Sequence, residues 1–177
     1  MFIGDQVKLR KMNEDDVELY HRWRNDMDVM TSTNGFLDVH SLSDTKEFVE
    51  NVLLGSQSSK CYIIADRKTE KPIGITSLVH IDYKNRNAEC IIDMGEKNYW
   101  GQGYGSDAMK LILHYAFYEM NLHRLYLKVF SFNKKAIHLY NKLGFQIEGT
   151  SREELYRNGD WHDVIHMGIL QNEYRNK

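Results

Sequence analysis

Residues 91–116 read IIDMGEKNYWGQGYGSDAMKLILHYA: an apolar run, a glycine-rich loop and the start of a long apolar helix. The centre is Trp100-Gly101-Gln102-Gly103-Tyr104-Gly105-Ser106, with glycine at every second position. Residues without side chains leave a row of backbone N–H groups uncovered, directly before a helix begins. A helix N-terminus carries free N–H donors and the positive end of the macrodipole, so such a loop suits a phosphate or pyrophosphate. Taken alone, the triplet serves equally well as a flexible strand-to-helix turn.

Known phosphate loops can be tested against these residues. A Walker loop needs Lys-Ser or Lys-Thr after its last glycine, and Gly105 is followed by Ser106-Asp107. The dinucleotide fingerprint spaces its last two glycines three apart, and here they are two apart. Both patterns fail. Trp100 through Gly105 instead resembles the pyrophosphate loop of the GNAT superfamily of acetyltransferases, Gln/Arg-x-x-Gly-x-Gly/Ala. Trp100 departs from the usual first residue and removes one polar side-chain contact, while the backbone donors survive the change.

A second run, Asn133 to Phe145, carries the rest of the likeness. Asn133 reads as a helix N-cap, Ala136, Tyr140 and Leu143 as a stripe at helical spacing, and Gly144 as the residue that ends the helix. By itself Tyr140 would be a packed core aromatic. The run also resembles the second GNAT signature, Asn-x-x-Ala-x-x-x-Tyr-x-x-x-Gly-Phe, at its usual distance after the glycine loop. Two spaced motifs in order on the right elements are far more specific than either alone. Within the superfamily the likeness is to spermidine N-acetyltransferases and to ribosomal-protein N-terminal acetyltransferases. Arg86-Asn87-Ala88-Glu89 and Tyr156-Arg157-Asn158-Gly159 contribute to it.

The resemblance implies a single N-acetyltransferase domain over residues 1–177, with a mixed, mostly antiparallel central sheet and helices on both faces. It implies transfer of acetyl from acetyl-CoA to an amine, with no metal. CoA would run along the backbone of Ile92, Asp93 and Met94. The loop from Trp100 and Gly101 through Gln102, Gly103, Tyr104, Gly105 and Ser106 would hold the pyrophosphate. Asn133, with Ala136 in the same signature, would meet the pantetheine arm, and Tyr140 would lie near the thioester sulfur.

The chemistry needs a base and an acid. A primary amine with a pKa near 10.4 is neutral only about one part in a few thousand at pH 7, so a proton must be removed before attack. A tyrosine can protonate the departing thiolate, and Tyr140 fits that role. Glu89 and Asp93 are four residues apart and share a strand face. Glu89 is the preferred base, with Asp93 or a water chain as alternatives.

The remaining sequence sets the frame. Val7 to Arg10 reads as a strand, Asn13 as the cap of a helix to about Arg24, and Asn25 to Ser43 as an irregular loop. A helix is expected from Ser43 to Leu54, capped by Ser43 or Asp44, with Phe48, Val49 and Val52 inward. Lys60–Asp66, Pro72–Ile81 and Ala88–Met94 form a meander. Asp107, Lys110 and His114 mark a polar stripe on the helix after the glycine loop. Leu125–Phe130, Phe145–Gly149 and Trp161–Leu170 read as strands, with Asn158-Gly159 as a hairpin turn.

Net charge is −2, and no basic stretch exceeds Lys134-Lys135, which argues against nucleic acid as a partner. Cys61 and Cys90 sit in apolar runs and read as buried thiols in a reducing cytoplasm. No apolar run approaches a membrane span. Residues 1–60 hold 11 acids against 7 bases, which suits a polyamine acceptor. A protein N-terminus or an amino sugar stays open as acceptor. So do a homo-oligomeric state and a non-catalytic CoA-binding sensor on the same fold. His162 and His166 lack a third ligand at metal spacing.

Overall fold

In the computed structural model of the chain, which describes residues 2–176, strand Lys60–Asp66 is buried along almost its whole length. Tyr62 and Ile64 belong to one apolar cluster, Cys61 and Ile63 to another. A strand buried on both faces must carry helices on both sides, and that requirement organises the rest.

The elements in order are β1 (Val7–Lys11), α1 (Val17–Arg24), α2 (Met27–Met30), α3 (Leu42–Phe48), β2 (Lys60–Asp66), β3 (Pro72–Asp82) and β4 (Asn87–Asp93). Then come α4 (Tyr104–His114), β5 (Arg124–Phe130), α5 (Lys134–Leu143), β6 (Gln146–Arg157), β7 (Asp160–Leu170) and α6 (Gln171–Arg175). The seven strands form one sheet in the order β1-β2-β3-β4-β5-β7-β6. Every neighbouring pair is antiparallel except β4 and β5. Met109, Ile112, Leu113 and Phe117 from α4 and its extension pack with Leu125, Leu127, Tyr140 and Leu143 on one face. Tyr20, Trp23, Val49 and Leu53 cover β2 and β3 on the other. Among the described residues no helix is long and apolar enough to cross a membrane.

Several expectations are corrected. The cap of α3 is Ser41, whose hydroxyl accepts from Asp44 N while Asp44 returns a bond to Ser41 N. The helix then widens into a π-type segment over Val49–Leu54, which rotates Val52 out to 45% exposure, so it is not an inward residue. The loop after Arg24 contains the short α2. Asp107 is no solvent stripe: it is buried, and its Oδ2 accepts from Gln6 N at 2.8 Å and Val7 N at 3.1 Å, strapping α4 to β1. The strand beginning near Phe145 continues to Arg157, with register shifts that bend it. Asn13 does cap the turn before α1, and Gly144 does end α5 with φ +100. Cys61 and Cys90 are buried free thiols.

Candidate active site

The parallel pairing of β4 with β5 covers only Asn87↔Arg124, Ala88↔Leu125 and Glu89↔Tyr126. Beyond Glu89, β4 stays registered with β3 to Asp93, and β5 stays registered with β7 to Phe130. The two strands therefore splay into a V whose apex is Glu89. Inside the V each strand keeps a row of backbone donors and acceptors without a ladder partner, a ready edge for an extended, amide-bearing chain.

The mouth of the V is formed by the glycine loop. Trp100 Nε1 donates to Met94 O at 2.8 Å, and Gln102 Nε2 donates to Asn98 O, so two side chains brace the turn. Gly101 (φ +71) and Gly103 (φ +92) take left-handed conformations that favour glycine. Asp107 N makes the first helical bond, to Gly103 O, which leaves the amides of Tyr104, Gly105 and Ser106 ahead of it at the positive end of α4. Gly105 packs above Met94 and Ile92, the side chains of the strand end. The predicted loop residues and β4 residues thus lie together. They fit a pyrophosphate joined to an extended arm.

Tyr140 lies on the inner face of α5, with its ring buried and edge-on to Phe145. Burial pushes its hydroxyl well above the usual tyrosine range, and the charges of Cys90 and Asp93 add to that shift. It is a neutral donor at any physiological pH. Asn133 is the N-cap of α5: its Oδ1 accepts from Ala136 N at 3.1 Å, and its Nδ2 donates to Ser32 O at 3.3 Å. One predicted cofactor residue therefore also ties down the loop between α2 and α3.

Glu89 is largely covered, and its Oε2 lies 3.0 Å from Nδ1 of His80, whose side chain is exposed. His80 has φ +51, inside the register shift between Val79 and Asp82. A left-handed histidine in a bulge aims its ring off the strand path at some conformational cost. Asp93, on the same face, is the other β4 carboxylate, and burial raises it to about 6.

Three contributors have roles that the sequence does not assign. His80 depends on a bulge that no local pattern announces. Arg157 is buried, and its guanidinium donates to Thr31 O at 2.8 Å, Asn34 O at 2.6 Å and Gly35 O at 3.4 Å. Glu96 accepts from Trp23 Nε1, Arg22 and Lys71, so α1 is anchored to the end of β4. A side chain at Gly95 would collide with the Trp23 indole, which explains glycine there.

A splayed parallel strand pair, a left-handed glycine loop feeding a helix and a buried tyrosine at the apex define an acetyl-CoA-dependent acyltransferase. The family model for the acetyltransferase (GNAT) domain matches residues 6–146, and the chain belongs to that family. It is an acetyl-CoA-dependent N-acetyltransferase.

The relatives narrow the field. Spermidine N(1)-acetyltransferase of Escherichia coli (strain K12) is 34% identical, over 95% of this chain and 88% of that protein. The crystal structure of spermidine N-acetyltransferase from Vibrio cholerae in complex with CoA and spermine superposes with TM-score 0.88 at 30% identity, covering 97% and 99% of the two chains. A dodecameric structure of spermidine N-acetyltransferase from Vibrio cholerae, in an intermediate state, gives TM-score 0.82 at 30% identity, with 97% of each chain covered.

Proposed function

We propose that this chain acetylates a primary amine of a polyamine of the spermidine class, with Glu89 as base and Tyr140 as acid. The observation that carries the reading is the V between β4 and β5, whose apex holds Glu89 and whose mouth is the glycine loop. About four extended residues, roughly 13 Å, separate apex and mouth along β4. That length suits an extended pantetheine arm lying between a pyrophosphate at the loop and a thioester at the apex. Tyr140 and Cys90, the residue after the apex, belong to one apolar cluster, which supports a thioester sulfur near the Tyr140 hydroxyl.

In this reading Glu89 takes a proton from the bound ammonium and hands it to solvent by way of His80. The freed amine attacks the thioester carbonyl, and a β4 backbone N–H just beyond the apex, without a ladder partner on the β5 side, supports the oxyanion. When the C–S bond breaks, the sulfur takes the electron pair and Tyr140 supplies the proton. Because burial holds Tyr140 neutral, it is always in the donating form.

The acidic N-terminal third supports the acceptor less than its composition suggests. Asp16 pairs with Arg10, Asp26 and Asp28 share Lys97, and Asp44 accepts from Ser41 N at the start of α3. Support for a polyamine comes instead from the relatives and from the two carboxylates, Glu89 and Asp93, on one face of β4. Residues 1–177 would act as one domain in the cytoplasm. The exposed Phe36 and Val39, at 75% and 74%, would suit the homo-oligomer known for the Vibrio relative.

The test is an acceptor screen with acetyl-CoA across polyamines, amino sugars and N-terminal peptides. Spermidine should be the preferred substrate, with a KM that rises with salt. Turnover confined to peptide N-termini would overturn the polyamine reading, and CoA binding without turnover on any amine would leave a sensor.

A further inference from the structure

Asp93 is a carboxylate that acetyl transfer does not use. It is the last residue of β4, registered against Ile75, on the same strand face as Glu89. The residue is only partly buried and so can be reached, yet its Oδ1 is closed off with no hydrogen-bond partner. The Thr33 hydroxyl is the hydrogen-bonding group beside it, and it also lies within reach of Val29 O at 3.2 Å. The ionisable groups that feel its charge are Tyr20 from α1, Cys61 from β2 and Tyr140 from α5, each neutral at pH 7 and each made harder to ionise. No lysine or arginine acts on it. Arg24, the nearby cation, lies over the Phe48 ring at 4.5 Å and reaches His40 through Nη2, while its Nη1 is itself buried without a partner.

An anion held this way is costly to the folded protein unless something outside the chain pairs with it. Its surroundings specify what that partner must be. Its Oδ1 lacks a donor and no cation faces the carboxylate, which together complement a compact ammonium. Distance adds a further condition. Four strand residues place Asp93 about 13 Å from Glu89 along one face. An extended triamine with three- and four-carbon spacers spans roughly 11 Å between its terminal nitrogens at standard bond lengths. A ligand with one amine at Glu89 can therefore bring a second to Asp93.

We infer that Asp93 is the subsite for the non-reacting ammonium of the acceptor, and hence the residue that selects polyamines over simple amines. This rests on the reading that the acceptor amine reacts beside Glu89. Thr33, on the loop held by Arg157, closes the subsite from above, so loop and carboxylate act together on the tail of the substrate.

The experiment compares wild type with Asp93→Asn and Asp93→Glu on spermidine and on butylamine, with CoA and spermidine affinities measured calorimetrically. Asp93→Asn should raise the spermidine KM on the order of 10–100-fold, as expected for removing a buried charge partner. Its loss on butylamine should be much smaller, so the ratio of the two KM values is the quantity that reads the subsite. Asp93→Glu, which keeps the charge, should recover part of the loss. Because Asn removes a carboxylate that has no cationic partner, the variant should melt no lower than wild type at pH 8, so a folding defect is readily recognised. An equal loss on both amines would move Asp93 into the chemistry and overturn the subsite, and so would unchanged spermidine kinetics. Wild type that binds spermidine without acetylating it, while Asp93→Asn fails to bind, would support the subsite and overturn the reaction reading. Neither binding nor turnover of spermidine would overturn both.

Discussion

Two loops meet at the end of β4, and they are built by opposite means. The loop Trp100–Ser106 is specified by its own residues: glycines that permit left-handed turns, a helix that starts at Tyr104, and braces to Met94 and Asn98 a few positions away. The loop between α1 and α3 is specified from elsewhere. Arg157, more than 120 residues distant in sequence, grips three of its carbonyls, and Asn133 holds a fourth, that of Ser32. In the proposed function the first loop would offer backbone amides to the cofactor, and the second would border the acceptor. The contrast predicts that the cofactor half should tolerate side-chain changes, and the acceptor half should fail when one distant residue is lost.

The largest effect is expected at Tyr140, the proposed acid. Tyr140→Phe keeps the buried ring and its edge contact with Phe145. Stability should change by about 1 kcal/mol at most. Turnover should fall by a factor on the order of 10²–10⁴, the range for general acid catalysis, with acetyl-CoA affinity near wild type. Turnover and cofactor affinity measured on one preparation decide it, and unchanged turnover would return Tyr140 to the core.

Gly103 separates backbone strain from cofactor approach. Its φ of +92 and the Gln6 amide nitrogen 3.2 Å from an added Cβ mean that Gly103→Ala carries about 1–2 kcal/mol of strain. Gly159 has φ +91 with nothing within 4 Å of an added Cβ, so Gly159→Ala carries similar strain on the hairpin tip. Both variants should lose comparable stability. Only Gly103→Ala should lose acetyl-CoA affinity, by on the order of tenfold. Equal affinities would show that the loop amides do not meet the pyrophosphate.

Arg157→Met attacks the other half. Methionine fills similar space but releases the carbonyls of Thr31, Asn34 and Gly35, at a cost of about 2–3 kcal/mol in stability. The amine KM should rise several-fold while acetyl-CoA affinity holds. A matching loss of cofactor affinity would mean that the two loops are not independent.

The same contrast explains what the sequence made legible. Strand alternation, the caps Asn13 and Asn133, the stop at Gly144 and the glycine loop are local rules, and each reads directly from neighbouring residues. Val52 was misplaced because a π-type turn advances the helix out of its ordinary period. Asp107 was misplaced because its partners, Gln6 N and Val7 N, lie about a hundred residues away. His80 needed a bulge, and Arg157 needed the bent β6 to bring it over the first loop. No period of 2 or 3.6 encodes such contacts.

The smallest effect is expected at Trp100, which sharpens the comparison most. Families with this loop carry Gln or Arg at the position, so the side chain there would be thought to hold the pyrophosphate. Here the indole is 40% exposed, and its N–H is already committed to Met94 O at 2.8 Å. Trp100→Gln would remove that brace, worth about 1 kcal/mol, and restore a polar side-chain donor worth a similar amount. The two changes oppose each other, and the amides of Tyr104, Gly105 and Ser106 are untouched. Acetyl-CoA affinity by calorimetry should therefore move by less than about fivefold in either direction. A loss far beyond that would show that the loop depends on a side-chain brace to keep its amides aligned. A comparable gain would show that the missing side-chain donor had limited binding all along. Either result would break the claim that backbone alone builds the cofactor half.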